Sequence, residues 1–170
     1  MAQKLVKFIE KEEFIKLLAA EKDKKFKLAY VLAFGSGLRI SEIIGYKQIQ
    51  PLTKENIDLE GHKIKIFGKR KKERISVTSP WLNNTNIKLL PLKIPRRTLQ
   101  GRFSRLAENV LHKKISFHTL RHGFANFMAN EKNVPLPMVQ QMLGHSRLDT
   151  TGIYTKANPI KTINTAWEAF

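Results

Sequence analysis

The sequence predicts a mainly α domain with one small antiparallel sheet. Apolar residues recur at helical spacing over most of the chain, and two neighbouring runs alternate with period two around a turn. No internal repeat or low-complexity tract interrupts them.

Taken in order, Lys11 to Ala20 places Phe14, Leu17 and Leu18 at i, i+3 and i+4, the stripe of an amphipathic helix. Lys24 to Phe34 reads as a second, more buried helix, broken by Gly35-Ser36-Gly37. A short helix follows from Ile40 to Ile44 and ends near Gly45. His62 to Phe67 and Arg74 to Thr78 alternate as strands, with a hairpin tip from Gly68 to Glu73. A further strand near Glu55 to Leu59 makes the sheet three-stranded. Pro80 to Pro95 holds three prolines and is expected to be irregular. Helices are expected from Thr98 to Val110 and from Phe117 to Asn130, the second with Leu120, Phe124, Phe127 and Met128 as its stripe. Pro135 and Pro137 open another helix through Met142, stopped by Gly144. Thr150 to Thr155 starts a helical turn, and Ile160 to Phe170 is a last helix, apolar along Ile160, Ile163, Trp167 and Phe170.

Composition narrows the function classes. The 170 residues suit one domain with its own core, and 31 Lys and Arg against 14 acids give a formal charge of +17. Such an excess repels itself unless a polyanion neutralises it, which points to nucleic acid ahead of a membrane surface or a ribosome-associated role. Residues 61 to 75 alone carry seven Lys and Arg and one acid. The absence of cysteine removes disulfides, thiol catalysis and Cys-based zinc sites, and suits a cytoplasmic, DNA-associated protein. The longest apolar stretch, Leu28 to Phe34, is too short to span a bilayer, and the N-terminus lacks a signal-type apolar core.

Four local patterns carry possible chemistry: Gly37-Leu38-Arg39-Ile40-Ser41-Glu42, the hairpin tip with Lys69, His118-Thr119-Leu120-Arg121-His122, and Leu143-Gly144-His145-Ser146 with Tyr154 nine residues after His145. Singly, each has a plain alternative. Arg39 and Glu42 share a helix face and can be an ordinary ion pair. His118 and Arg121 share a face as site or as solvated surface. Lys69 sits in a basic run suited to phosphate contact. His145 can be a helix-end charge partner, and a lone tyrosine can belong to the core.

The ordered set GSGLRISEI, GKRKKER, HTLRHGFA and MVQQMLGHSRLDTTGIYT resembles the tyrosine recombinase family, over about Phe8 to Ala157. The resemblance implies the catalytic-domain fold of that family and cleavage and rejoining of double-stranded DNA through a 3′-phosphotyrosyl link, with neither metal nor other cofactor. It implies Tyr154 as nucleophile, Arg39 and Arg121 gripping the phosphoryl oxygens, His118 in proton transfer, Lys69 protonating the leaving oxygen, His145 donating to the phosphoryl group and Glu42 bracing the site. His122 reads as support. The expected DNA contacts are Lys63, Lys65, Arg70, Lys71, Lys72, Arg74, Arg96, Arg97, Arg102 and Arg105. Four protomers are expected on DNA for the full-length protein. The helix at 160–170 is expected either to dock on a neighbour or to close its own core.

The chain departs from the family in three ways. A core-binding domain that would complete a DNA clamp is not legible, so residues 1–170 are expected to form a single catalytic domain, a fragment before a natural single-domain form. The stretch between the hairpin and His118 is short, and Lys156 stands where many relatives have His. Two rivals remain at this stage. One is a metal-dependent nuclease using the i, i+4 pair His118 and His122, and the other a DNA-gripping module that does not cut. Supercoil relaxation, as by a type IB topoisomerase, would use the same core chemistry.

Overall fold

In chain order the elements are α1 (Lys11–Ala20), α2 (Lys24–Ser36), α3 (Ile40–Ile44), strands β1 (Ile57–Asp58), β2 (Lys63–Phe67) and β3 (Glu73–Val77), then α4 (Arg96–Leu111), α5 (His118–Asn126), α6 (Leu136–Leu143) and α7 (Pro159–Glu168). They belong to a computed structural model that describes residues 8–68, 73–144 and 159–170. The mainly α class with a three-stranded antiparallel sheet is the one the sequence predicts.

Helix α2 is the axis of the core. Asp23 caps it, its carboxylate accepting the Lys25 N–H at 2.8 Å. Every residue from Leu28 to Ser36 is buried, as a helix enclosed on all sides requires. Phe14 of α1 stacks on Phe34 at 4.1 Å, and Phe103 of α4 meets Tyr30 edge-on at 5.3 Å. Helix α5 packs against α2 closely enough that a Cβ on Gly123 would lie 2.8 Å from Cε2 of the Phe34 ring. Helix α2 runs two residues past Phe34, and Gly35 is a point of close packing: a Cβ there would meet Ser79 Oγ at 2.5 Å. Gly37 ends the helix in the left-handed region at φ +68°.

The sheet has the order β1-β2-β3, antiparallel throughout. Its first strand is shorter than expected because residues 54–56 wind into a 3₁₀ turn, closed by Asn56 Oδ1 accepting the Thr53 N–H at 2.9 Å. Helix α4 begins at Arg96, two residues early, where Pro95 supplies an extended cap. The helix expected over Phe117–Asn130 is α5 followed by a π-turn at Phe127–Glu131. The turn expected at 150–155 lies outside the described residues.

Helix α7 closes this domain's own core. Ile163 and Ala166 are buried and the helix packs on β3. Trp167 stacks on His62 at 3.7 Å, and Phe170 meets Trp81 edge-on at 5.9 Å. Among the described residues, no helix is long and apolar enough to cross a membrane.

The Phe14–Phe34 stack ties α1 to the axis helix. Phe34→Ala is expected to cost about 3–5 kcal/mol in urea unfolding; a loss below about 1 kcal/mol would mean that this stack does not organise the core.

Candidate active site

Arg39 and Glu42 come together because Gly37 turns the chain and α3 starts at once. Glu42 stands three residues after Arg39, and its Oε2 accepts the Arg39 backbone N–H at 2.7 Å while its Oε1 accepts Arg39 Nη1 at 3.1 Å. A third donor arrives from the sheet: Arg74 Nη2 reaches Glu42 Oε2 at 2.7 Å. The carboxylate is 4% exposed and Arg74 11%, whereas Arg39 keeps 39% of its side chain open. Burial alone would raise the Glu42 pKa, but the Arg74 charge and the hydrogen bonds from Arg74 and Arg39 outweigh it and hold the carboxyl below its ordinary range.

Arg121, on the first turn of α5, is buried. Its Nη1 donates to the Gly37 carbonyl and its Nη2 to the Leu143 carbonyl, both at 2.6 Å. Burial first, then the charges of Arg39 and Arg74, lower its pKa to about 9, so it remains a cation at neutral pH. Arg39 and Arg74 thus share one carboxylate, Arg121 bonds only carbonyls, and the four side chains together carry two net positive charges. An arrangement of this kind has its lowest energy with an anion bound.

The end of α6 is fixed by the same cations. A helix leaves its last four carbonyls unpaired. Here the Gly144 N–H turns back to the Gln140 and Gln141 carbonyls, Arg74 Nη1 donates to Met142 and Arg121 Nη2 to Leu143. Gly144 is required twice over: its φ is +65°, and a Cβ would meet Arg74 Cδ at 2.4 Å.

His118 and His122 stand edge to face at 4.6 Å on exposed positions one turn apart. Partial burial, then the charges of His122, Arg121 and Arg39, lower the His118 pKa below 6.5, which favours neutral imidazole. His118 opens onto a small cleft of about 140 Å³ shared with Ile40, Arg96, Gln100 and Ser116. Among the described residues, no group of three or more His, Asp or Glu side chains is placed to hold a metal ion.

The structure thus gathers Arg39, Glu42, His118 and Arg121. Lys69, His145 and Tyr154 lie outside the described residues, as do Arg70, Lys71 and Lys72. Arg96, Arg97 and Arg105 are exposed on α4; Lys63 and Lys65 are exposed on β2, near Asp58 at 3.4 Å and Glu73 at 3.2 Å.

Two of the expected DNA contacts, Arg102 and Arg74, have partners within the domain. Arg102 closes its fork on the buried Glu21 at 2.9 and 2.5 Å, over the Phe26 ring. Arg74 is turned into the site, with 11% of its side chain exposed. Its partner across the hairpin is Ile66, and Ser76 pairs with Ile64, so Arg74 and Ser76 share the inner face with the buried isoleucines. Ser76 Oγ confirms that side by donating to the Ser36 carbonyl at 2.6 Å. Alternation in the strand held this signal, but the apolar Ile75, 38% exposed, suggests the opposite face.

Comparison with known proteins agrees with this architecture. The sequence profile of the phage integrase family matches residues 90–160. A tyrosine recombinase XerC of Thermodesulfovibrio yellowstonii is 31% identical, the match covering 89% of this chain and 58% of that protein. The XerC of Chlamydia pneumoniae is 36% identical over 75% of this chain and 45% of its own. The chain spans about half the length of the curated relatives it matches. Among solved structures, a XerH site-specific recombinase bound to difH substrate, in a pre-cleavage complex, superposes with a TM-score of 0.65 at 23% identity, covering 98% of this chain and 55% of that one. An integrase from mycobacterium phage Brujita gives 0.62 at 21% identity, over 97% and 60%. The fold is that of a tyrosine recombinase catalytic domain, and the chain belongs to the tyrosine recombinase family.

The lowered Glu42 carboxyl sets the sign of a pH effect. Folding favours its ionised form, so its contribution is complete above the ordinary value of 4.5 and is lost as pH falls through the lower folded value. Glu42→Gln is expected to lose about 3–5 kcal/mol at pH 7 in chemical denaturation, from stranding buried charge. That difference narrows as pH drops below 4.5; a difference independent of pH contradicts the ion pair.

Proposed function

We propose that this chain is the catalytic part of a site-specific DNA recombinase, cutting and rejoining double-stranded DNA through a covalent 3′-phosphotyrosyl intermediate with Tyr154 as nucleophile. The observation that carries the reading is the cluster of Arg39, Arg74, Arg121 and Glu42, whose net charge is positive by two. Displacement at a phosphodiester gathers negative charge on the non-bridging oxygens, and fixed guanidiniums stabilise that charge.

In this reading the Tyr154 oxygen attacks phosphorus and a bond to the 3′-phosphate forms. The bond to the 5′ oxygen breaks, and Lys69 protonates that oxygen as it leaves. The tyrosine proton passes to neutral His118, because a phenol of pKa near 10 is a poor nucleophile until relieved of it. Arg39, half open to solvent, reaches a non-bridging oxygen, while buried Arg121 adds charge from behind and His145 donates from the chain after α6. The free 5′ hydroxyl of a partner strand reverses the step, and the phosphotyrosyl link conserves the bond energy, so no metal or nucleotide is consumed.

Exposed Lys63, Lys65, Arg96, Arg97 and Arg105, with the hairpin tip at 69–72, supply phosphate contacts. A tetramer on DNA is the assembly that exchange between two duplexes calls for in the full-length protein. In this chain α7 packs on β3 with Ile163 and Ala166 buried.

A nicked suicide substrate tests the reading. The native chain is expected to become covalently attached to the DNA 3′ end, with EDTA present. Tyr154→Phe binds DNA as the native chain does and forms no adduct, and Arg39→Ala forms it about 10²–10³-fold more slowly. An adduct that survives in Tyr154→Phe removes Tyr154 as nucleophile. Cleavage abolished by EDTA with no protein attached favours a metal nuclease, and intact DNA with binding unchanged favours a non-cutting module.

A further inference from the structure

We propose that Arg74 is a positioning residue that neutralises Glu42 so that the charge of Arg39 stays available to the scissile phosphate, while it locks the hairpin to the end of α6. The proposal rests on the cleavage reading above and deepens it.

Arg74 keeps only 11% of its side chain exposed, and both its arms are engaged within the domain. Its two arms reach parts of the site that are distant in sequence: Nη2 holds Glu42 Oε2 at 2.7 Å and Nη1 holds the Met142 carbonyl. Between these arms its stem fills the space under Gly144, the residue before His145. Its strand position, opposite Ile66, fixes it to the hairpin whose tip carries Lys69. One side chain thereby sets the spacing of Arg39, of the segment leading to His145 and of the strand pair leading to Lys69.

The electrostatics give this geometry its consequence. Glu42 is a single negative charge facing Arg39, Arg74 and Arg121. With Arg74 in place, the carboxylate is satisfied by a buried cation, and Arg39 contacts it through one Nη at 3.1 Å with its remaining donors open. Without Arg74, Arg39 becomes the only guanidinium hydrogen-bonded to that carboxylate, and a tighter pair between them draws Arg39 back from the phosphate. The two carbonyls at the end of α6 also lose one of their two guanidinium donors.

The test compares native, Arg74→Met, Arg74→Lys, Glu42→Gln and the Arg74→Met/Glu42→Gln double variant on the suicide substrate at saturating DNA. Arg74→Met is expected to slow adduct formation about 10²-fold, the scale of a misplaced catalytic group, with DNA affinity little changed. Arg74→Lys keeps the charge without the fork and falls between the two. The loss from Arg74→Met is smaller in the Glu42→Gln background than in the native one, since one of the two arms of Arg74 acts through the carboxylate. A native rate in Arg74→Met, or losses that multiply in the double variant, overturns the proposal.

Carbon-13 titration of the Glu42 carboxyl gives a readout independent of cleavage, and Arg74→Lys serves if Arg74→Met does not fold. The Glu42 titration moves to higher pH when Arg74 is replaced by Met, and moves less with Lys. An unchanged titration in both variants overturns the proposal. If the native chain forms no adduct, the cleavage reading fails while the titration still decides what Arg74 does to Glu42.

Discussion

The Glu42 carboxylate is the point on which the rest of the site depends. It is one buried acid in a chain with a large cationic excess, and it accepts from the Arg39 backbone, the Arg39 side chain and Arg74. A buried carboxylate is tolerable only with such partners, and buried guanidiniums are tolerable only with an acid or carbonyls near them. The first turn of α3, the inner face of the sheet and the end of α6 are therefore held together by mutual electrostatic need. Arg121 extends the same logic by bonding the carbonyls at the ends of α2 and α6.

This economy leaves the centre positive. Enough negative charge is supplied to hold the arginines in place, and too little to neutralise them. A phosphodiester completes the balance, and its transition state, with more charge on the same oxygens, completes it better. The αL glycines Gly37 and Gly144 matter because they let the chain leave α2 and α6 beside these cations without a Cβ in the way.

Much of this was legible in the sequence. Helical spacing located the helices, and the four ordered motifs singled out Arg39, Glu42, His118 and Arg121, which the fold brings together. The two motifs that hold these four residues sit at the starts of α3 and α5, so short-range spacing carries their geometry. The inward placement of Arg74 was not legible because it depends on hairpin register, which sets the face of every strand residue and is decided by pairing at a distance. Arg102 looked like a phosphate contact because its partner, Glu21, is 81 residues away. Two readings of the last helix stayed open because its stripe of Ile163, Trp167 and Phe170 suits any apolar partner. The partner proves to be β3 with Trp81 and His62.

The central claim is that the unmatched guanidinium charge exists to meet the charge of a phosphodiester. It is tested most directly by measuring cleavage of a substrate with a neutral methylphosphonate at the scissile position, by the native chain and by Arg39→Ala. The account predicts that the arginine deficit seen on the charged phosphate largely disappears on the neutral one. An equal deficit on both substrates would contradict it, since Arg39 would then act on something other than the phosphoryl charge.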